Sequence, residues 1–430
     1  MKILLISNSP INFSTSIGNT FLNVMPENTD LISIYTRNGL PDRRVNEAFC
    51  MNEKMIINKL FGRSNYVGKI ISARYGNGKE KFENDDINRN LLQFVQKKRY
   101  TIMFWMQDMI WGTGVWKSKE LNNFISNVEP DLIFSLFTDN IIVNKIILQI
   151  LKISKKPLII YAWDNNYQWN RYQRSPLKWM NQFISRRYMR KIMNQTEKLY
   201  VISEIQKKDY ERIFNKPCTV LTKGADFSGK APVKERYNDP LQLVFTGNIG
   251  TGRWKSLAML VNVLKEINRT KVKMQLRIYT ATPLTEQMKN VLTMEEQSFL
   301  MGSVSASEIP QIQKNADLLI HVESFTPKEQ FLVKHSFSTK IVDYLANAAC
   351  ILAIGPRGIA SIDYFIENDA GMVASSSDEI REQLLEITEK PSLIKEWGEK
   401  AFQSGVRNHD KKKITEMLER DFQEILMQES

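Results

Sequence analysis

The stretch FTGNIGTGRWK, residues 245–255, decides the fold of this chain more than any other. It ends a run of apolar residues that predicts a strand over 241–246, and it leads with Arg253 and Lys255 into a predicted helix. A helix N-terminus offers free N–H groups and about half a positive charge, so it attracts an anion. Glycine permits positive φ and lets the backbone approach a ligand closely. The glycines of this turn are Gly247, Gly250 and Gly252.

The two cations that follow the turn indicate which ligand it could bind. Arg253 can bind a pyrophosphate through two parallel hydrogen bonds, and Lys255 can add a point charge. The spacing of the glycines matches neither the Walker A motif nor the dinucleotide-binding fingerprint. An ordinary glycine-rich turn with surface cations therefore stays open as an alternative.

A second stretch, HSFSTKIVDYLA at 335–346, precedes the strand-like CILAIGP at 350–356. Ser338 can cap the helix that this pattern predicts. Lys340 would lie in the first turn, where a cation opposes the helix dipole and costs up to about 1 kcal/mol unless an anion is near. Asp343 follows on nearly the same face and can accept a hydrogen bond from a sugar hydroxyl; a surface pair of Lys340 with Asp343 is the alternative. Two cationic turns far apart in the chain indicate one nucleotide diphosphate held from two sides.

Strand-like and helix-like segments alternate along the chain, which predicts parallel sheets with helices on both faces. Ligands of such sheets bind at the carboxyl ends of the strands. Residues 40–100 are polar, basic and weakly patterned, and we interpret them as helices and loops of an insertion. The predicted strands cover 2–6, 31–35, 131–136, 158–163, 198–202, 241–246, 274–279, 298–301, 317–322 and 350–354.

The length of 430 residues is too great for one ordinary core. A polar stretch at 227–239 marks the domain boundary. We predict an amino-terminal domain over 1–232, a carboxy-terminal domain over 233–405, and a terminal helix over 406–430 that could pack back on the first domain.

Composition excludes several classes of protein. With 43% hydrophobic and 25% charged residues, the chain has the balance of a soluble globular protein rather than a disordered one. No uncharged apolar run approaches the roughly 18 residues of a membrane-spanning helix. The three cysteines are far apart and odd in number, which favours a reducing, cytoplasmic compartment. Together with the three histidines they make no zinc-binding spacing.

The net charge of +12 is concentrated in one segment. Residues 171–191 contain seven basic side chains and no acidic one, with apolar residues at helical spacing. This pattern predicts a basic amphipathic helix that could lie on an anionic membrane surface. A helix that packs on its own domain and exposes a solvated basic face explains the pattern as well.

Other candidates come from single positions. Asp164 follows the predicted strand at 158–163 and is either a catalytic carboxylate or a helix cap. Ser14 and Gly18 follow the first strand and would face the acceptor. Gly302 could give a backbone contact to a base, although a plain turn explains it too, and His335 could bond a ligand hydroxyl if it is not simply solvated.

At these residues the chain resembles GT-B glycosyltransferases, most closely glycosyltransferase family 4. VLTKGAD at 220–226 resembles the interdomain turn V-x-x-N-G-V-D of that family. Residues 245–255 resemble the turn whose Arg and Lys hold the donor diphosphate, and 338–346 resemble S-x-K-x-x-E-Y-L-A, so that Asp343 stands where a ribose-binding Glu is expected. The resemblance implies an α/β fold of two Rossmann-like domains facing across a cleft, with a carboxy-terminal helical tail.

The resemblance also implies chemistry. Family members neutralise the leaving diphosphate with cations and helix dipoles, so no metal or other cofactor is expected, and the chain has no Asp-x-Asp pair. The family often carries two glutamates where this chain has His335 and Asp343. Whether the reaction would retain or invert the anomeric configuration therefore stays open.

The sequence predicts a metal-independent glycosyltransferase that moves a sugar from a nucleotide-diphosphate sugar to a lipid-linked or other saccharide acceptor, in polysaccharide or glycolipid biosynthesis. It would be cytoplasmic or peripheral at the inner face of the plasma membrane. A nucleotide-sugar epimerase of the same fold and a polyanion-binding protein are the alternatives; nucleic acid is not an expected partner. The predicted catalytic residues are Arg253, Lys255, Lys340 and Asp164; the predicted donor-binding residues are Gly247, Asn248, Gly250, Ser338, Thr339, Asp343, His335 and Gly302; Ser14 and Gly18 would contact the acceptor.

Overall fold

The structure, a computed structural model, describes residues 1–13, 15–72 and 101–429. Ser14, and residues 73–100 of the predicted insertion, lie outside the described residues. The chain forms two compact units. The first comprises Met1–Val201, Asp209–Val220 and Thr415–Ser430, and the second comprises Ile202–Lys208 and Leu221–Ile414. The long continuous segment of the second unit begins at Leu221, whereas the sequence analysis placed the boundary after residue 232.

The first unit is built on an eight-stranded sheet in the order β4-β3-β2-β1-β5-β6-β7-β8. All neighbouring strands are parallel except β3 and β4. Strands such as β1 and β6 are almost wholly apolar because helices cover both faces of a parallel sheet. The strands are β1 (Lys2–Ser7), β2 (Asp30–Tyr35), β3 (Val45–Cys50), β4 (Lys69–Ser72), β5 (Leu132–Leu136), β6 (Leu158–Ala162), β7 (Thr196–Val201) and β8 (Cys218–Val220).

Side-chain caps start several helices of this part of the chain. Asn52, Ser118 and Asn140 each accept a hydrogen bond from a first-turn N–H group, which satisfies donors that the helix itself cannot pair. The helices are α1 (Ser16–Val24), α2 (Glu53–Leu60), α3 (Thr101–Gly112), α4 (Lys119–Val128), α5 (Ile141–Ser154), α6 (Pro176–Met193) and α7 (Glu204–Phe214).

The second unit has a six-stranded, all-parallel sheet in the order β11-β10-β9-β12-β13-β14. Its strands are β9 (Leu241–Thr246), β10 (Met274–Tyr279), β11 (Ser298–Gly302), β12 (Leu318–Val322), β13 (Cys350–Ile354) and β14 (Met372–Ala374). The helices of this part of the chain are α8 (Arg253–Ile267), α9 (Glu286–Leu292), α10 (Ile309–Asn315), α11 (Pro327–Val333), α12 (Thr339–Ala346), α13 (Ala360–Glu367), α14 (Ser377–Glu389) and α15 (Ser392–Asn408). They are followed by the last helix, α16 (Lys411–Glu429).

The predicted α/β class with two Rossmann-like domains is confirmed, and β9, β10 and β13 have the predicted bounds. The prediction of helices and loops over 40–100 holds for α2 but is wrong for β3 and β4, which extend the sheet there. β3 carries polar Asn46 and Glu47 beside its buried residues, so its apolar pattern is weak in sequence.

The last helix, α16, contributes most of its length to the first unit. Thr415 Oγ1 donates to the carbonyl of Val24 at 3.0 Å. Asp421 accepts from the buried hydroxyl of Tyr200 at 2.7 Å and pairs with Lys198 at 2.9 Å. These contacts join residues distant in the chain into one unit.

No helix in the described part of the chain has both the length and the apolar content needed to cross a membrane.

Candidate functional site

The turn between β9 and α8 depends on two glycines. Gly247 has φ +147° and Gly252, the N-cap of α8, has φ +77°. A Cβ atom on Gly247 would lie 2.0 Å from the Nζ of Lys340, and one on Gly252 would lie 2.3 Å from the Oγ of Ser324. Both distances are impossible for real atoms, so only glycine lets the turn come this close to the neighbouring residues.

Asn248 fixes the shape of the same turn. Its Oδ1 accepts hydrogen bonds from the N–H of Gly250 at 2.6 Å and from Oγ1 of Thr282 at 3.1 Å. Thr282 in turn accepts from the N–H of Ile249 at 3.2 Å. The side chain predicted to touch the donor therefore organises the loop.

Arg253, the first residue of α8, is held by a buried carboxylate. Its Nε and Nη2 donate to the two carboxylate oxygens of Glu323 at 3.1 and 3.0 Å, which is a bidentate pair. Glu323 directly follows β12 and is 3% exposed, and Ser256 donates to its carbonyl at 2.7 Å. Burial raises the pKa of Glu323, and the charge of Arg253 opposes that rise. The pair orients the guanidinium of Arg253 at the helix N-terminus.

Lys340 lies in the first turn of α12, as predicted. Its Nζ donates to the carbonyl of Thr246, the last residue of β9, at 2.7 Å. Burial, and after it the nearby charge of Arg253, lower the pKa of Lys340 to about 8, while the charge of Asp343 opposes the shift. The two predicted cations are thus close enough to repel each other across the glycine turn.

Ion pairs and helix ends meet at this place. Arg253 pairs with Glu323, Lys223 pairs with Asp343, and Lys340 donates to the carbonyl of Thr246. The carboxylate side chain of Glu329 lies beside Gly252, with its Cγ 3.6 Å from the position of an added Cβ atom. Helices α8 and α12 add the positive ends of their dipoles. The cluster formed by Gly247, Arg253, Glu323 and Lys340, called here the cation cluster, thus brings two cations and two helix N-termini to one turn, an arrangement that can attract an anion.

His321 also belongs to this region. It is 7% exposed at the end of β12, and its Nε2 lies 3.7 Å from Oε1 of Glu323. Burial, and after it the charges of Arg253 and Lys340, lower the pKa of His321 to about 3, so the imidazole is neutral at pH 7. Sequence reasoning missed His321 and Glu323. The available signal was a histidine inside an apolar strand and a glutamate at its carboxyl end.

Helix α12 presents the other predicted donor residues. Ser338 is the N-cap and its side chain makes no capping hydrogen bond, while Thr339 begins the helix. Asp343 pairs with Lys223, not with Lys340. The alternative of a simple surface pair between Lys340 and Asp343 is therefore wrong.

Several predicted residues lie elsewhere. Lys255 is exposed, with Nζ 5.7 Å from the ring centroid of Trp254. Gly302 is exposed at the end of β11 with φ +78°. His335 is completely buried, and Ser203 donates to its carbonyl at 2.9 Å, so the expectation of a solvated loop histidine is wrong.

The predicted residues Asp164 and Gly18 belong to the first unit. Asp164 Oδ1 accepts from the N–H of Asn165 at 2.8 Å. A Cβ atom on Gly18 would lie 1.9 Å from the carbonyl oxygen of Asn12, so this glycine is required by packing.

Comparison with solved structures identifies the class of fold. Both units together match GT-B glycosyltransferases, which confirms the predicted GT-B fold. HepE of Anabaena, crystallised with UDP, matches with a TM-score of 0.62 at 11% identity, over 99% of this chain and 100% of that chain. Sucrose-phosphate synthase of Thermosynechococcus elongatus matches with a TM-score of 0.60 at 9% identity, over 99% of each chain.

A third match covers less. TarM of S. aureus, crystallised with UDP and fondaparinux, matches with a TM-score of 0.51 at 11% identity, over 70% of this chain and only 58% of that chain. No protein-family model matches the chain, and no curated protein matches it. At these identities the likeness is one of fold, and the nearer resemblance to family 4 stays a prediction.

Proposed function

We propose that the protein is a glycosyltransferase that uses a nucleotide-diphosphate sugar as donor and a saccharide as acceptor. The observation that carries the proposal is the cation cluster, where Arg253 and Lys340 meet at the N-termini of α8 and α12. The fold supports it, since the HepE structures of the same fold contain UDP and UDP-glucose.

The chemistry follows from where charge develops. In the transfer, the bond between the anomeric carbon and the β-phosphate oxygen breaks while a bond to the acceptor oxygen forms, and the acceptor hydroxyl loses its proton. Negative charge then grows on the departing diphosphate. Arg253 and Lys340 would stabilise that charge, at about 3 kcal/mol for each well-placed group. Glu323 keeps the Arg253 guanidinium oriented, and the carbonyl of Thr246 holds Lys340 in place.

We also propose that these cations act in place of a metal ion. Activity is then expected to persist in excess EDTA. As predicted from the sequence, the acceptor would be lipid-linked and the pathway would be polysaccharide or glycolipid assembly.

The first test is nucleotide binding. UDP, GDP or TDP at one hundred times its dissociation constant should stabilise the protein by about 2.7 kcal/mol, which a thermal-shift assay detects. Incubation with the nucleotide sugar alone separates the two enzymes: slow release of nucleotide indicates a transferase, and free isomerised sugar indicates an epimerase. Stabilisation by heparin with no response to any nucleotide would contradict both and favour a polyanion-binding protein.

The thermal stabilisation of the protein by nucleotide should also depend on pH. A bound diphosphate raises the pKa of Lys340, which burial holds at about 8 in the free protein. Binding therefore takes up a proton above that pH, so affinity is complete below pH 8 and falls as pH rises beyond it. The phosphate itself is already ionised there, since its second pKa is about 6. The decline should disappear in Lys340→Met; a decline that persists in that variant would assign it to another group.

The basic segment 171–191 supports a membrane contact. It forms most of α6, whose inward side, including Ser185 and Met189, is buried. The outward side carries Trp179, Met180 and Phe183 at 39%, 44% and 52% exposure, and Arg187 is exposed beside them. Apolar and aromatic side chains next to basic ones suit the interface of an anionic bilayer. We propose that this surface places the protein at the inner face of the plasma membrane.

Vesicle sedimentation tests this surface. Replacing Met180 and Phe183 together by Ser should reduce binding to phosphatidylglycerol vesicles about tenfold, because each apolar side chain loses part of its transfer free energy. The matched control replaces Met301 and Ile366, exposed at 44% and 37% in the second unit, by Ser. Equal binding of the two double variants, or no binding by the unaltered protein, would contradict the proposal. Binding should also weaken in high salt.

A further inference from the structure

A cavity of about 630 Å³ in the first unit is lined by α5, α6 and the end of α3. Two of its residues, Asn194 and Gln195, lead directly into β7, and Lys152 lies near the end of α5, which precedes β6. Because β6 and β7 are parallel neighbours, the cavity lies towards the amino ends of the strands. Sheets of this kind bind substrates at the opposite, carboxyl ends. The cavity is therefore separate from that edge of the sheet, and the cation cluster belongs to the other unit.

The charge of this cavity is positive. Among the residues that the structure describes, four lysines line it and no acidic residue does; they are Lys117, Lys145, Lys152 and Lys191. None of the four forms an ion pair within the described part of the chain. Asp108 is close enough for the charge of Lys145 to oppose the rise in its pKa that burial causes, but Asp108 lies outside the lining. The walls of the cavity thus leave its positive charge uncompensated.

Helix dipoles explain only two of these lysines. Lys152 and Lys191 lie in the last turns of α5 and α6, where the carbonyl ends of the helices favour a cation. Lys145 lies in the middle of α5, and Lys117 lies in the loop between α3 and α4. An anion in the cavity would give all four a common partner.

Aromatic rings hold three of the four ammonium groups at the wall. The Nζ atoms of Lys145 and Lys191 lie 5.9 and 5.8 Å from the ring centroid of Tyr188 on α6. The Nζ of Lys117 lies 5.6 Å from the ring centroid of Trp116. These distances are within the range of cation–π contacts, which are weak enough at such sites to leave the ammonium N–H groups available to a ligand.

The indole rings that form part of the wall are fixed in place. Trp111 and Trp116 are 1% and 2% exposed. The Nε1 of Trp111 donates to Oε1 of Glu53 at 2.9 Å, and the Nε1 of Trp116 donates to the carbonyl of Trp111 at 2.9 Å. This part of the wall therefore needs no rearrangement before a ligand enters, which reduces the entropy that binding must overcome.

The lining selects a chemical class of ligand. Ammonium groups bind phosphates as point charges, and four of them favour an anion over a neutral sugar or a cation. The volume of the cavity falls in the range of small-molecule sites, so it can hold a phosphate together with the group that the phosphate carries. The rings of Trp116 and Tyr188 offer apolar surface to that group.

We propose that this cavity is a second, non-catalytic site of the protein and that it binds a phosphate-bearing anion through Lys145 and Lys191, with Lys117 and Lys152 adding to the charge. The phosphate could belong to a soluble compound or to a lipid headgroup, and the experiment below separates these two sources. The proposal does not depend on the proposed glycosyltransferase function.

Fluorine NMR on protein labelled with 5-fluorotryptophan tests the site, because Trp111 and Trp116 lie in its wall and Trp254 follows Arg253 in the second unit. The probes are inorganic pyrophosphate and monomeric dihexanoyl phosphatidylglycerol. At least one should shift the signals of Trp111 and Trp116. Replacing Lys145 and Lys191 together by Met should weaken that binding at least about tenfold, as expected for the loss of two charged hydrogen-bond donors. A response to pyrophosphate alone assigns the site to a soluble phosphate, and a response to the lipid alone assigns it to a headgroup.

Matched variants keep the test decisive. Lys117→Met with Lys152→Met, at two exposed positions of the lining, should weaken binding in the same direction. Lys119→Met with Lys156→Met removes two exposed charges of the first unit outside the cavity and should bind normally. The inference is overturned if neither probe shifts the signals of the two wall tryptophans, or if the pair outside the cavity weakens binding as much as the pairs within it.

The signal of Trp254 reports on the other unit. It should respond to the nucleoside diphosphate that binds at the cation cluster, and this response should persist when Lys145 and Lys191 are replaced. No response of Trp254 to UDP, GDP or TDP would count against the proposed function and would leave the result for the basic cavity unaffected.

Discussion

Lys340→Met should reduce turnover of a nucleotide sugar by about a hundredfold or more. The ammonium of Lys340 lies at the positive end of α12 and is held by the carbonyl of Thr246 at 2.7 Å, so it meets a diphosphate without rearranging. A preorganised cation of this kind acts most strongly on charge that develops in the transition state. The loss should therefore appear in kcat and in kcat/KM together, measured as release of the nucleoside diphosphate. Methionine keeps an unbranched apolar stem of nearly the same length and removes the ammonium, with its charge and its hydrogen bond to Thr246.

The control for this variant is Lys265→Met, which removes an exposed charge from α8 and leaves the net charge of the protein equal to that of Lys340→Met. It should turn over normally. Near-normal activity of Lys340→Met, with an unchanged nucleotide shift, would remove Lys340 from the proposed reaction.

Gly247→Ala should also lower turnover by about a hundredfold. The added Cβ atom would lie 2.0 Å from the Nζ of Lys340, so the ammonium, as the flexible end of a long side chain, must move. A displacement of about 1 Å in a catalytic group is enough for a loss of this size. Kinetic measurement on the pure, folded variant checks the result.

The matched control is Gly229→Ala. Gly229 has φ +93°, so alanine is strained there as well, but a Cβ atom would meet nothing within 4 Å. This variant should lose about 1 kcal/mol of stability and keep its activity. In the double variant Gly247→Ala with Lys340→Met the two losses should not add, because both act on the same ammonium. Additive losses would show that Gly247 acts independently of Lys340.

The sequence predicted the site residues whose placement is unfavourable or unusual in their local structure. Lys340 opposes the dipole of its own helix, and this unfavourable placement in the sequence predicted that it has a function. Arg253 was marked by the glycine turn before it. The strands β9, β10 and β13 were predicted because apolar residues dominate them, as expected for a sheet covered on both faces. β13 is apolar over its whole length, whereas Gln242 interrupts β9, and Gln275 and Arg277 interrupt β10.

Other features depend on contacts that no local pattern contains. Glu323 pairs with Arg253 across 70 residues of chain, and Lys223 pairs with Asp343 across 120. Asp343 therefore looked like a partner of Lys340 because only neighbours in sequence could be compared. The exposure of Lys255 has the same origin, since the sequence pattern does not show that its ammonium lies beside the ring of Trp254.

The placement of α16 has a consequence for biosynthesis. Most of the first unit is translated first, the second unit follows, and α16, which completes the first unit, is translated last. When Tyr200 leaves the ribosome, its hydroxyl has no Asp421 to bond, although it is fully buried in the finished protein. A hydrogen bond to a charged group contributes about 1.5–3 kcal/mol to a folded protein, and this contribution is missing until Asp421 is made. The first unit therefore reaches its full stability only when α16 has been translated, although most of its residues are translated before those of the second unit.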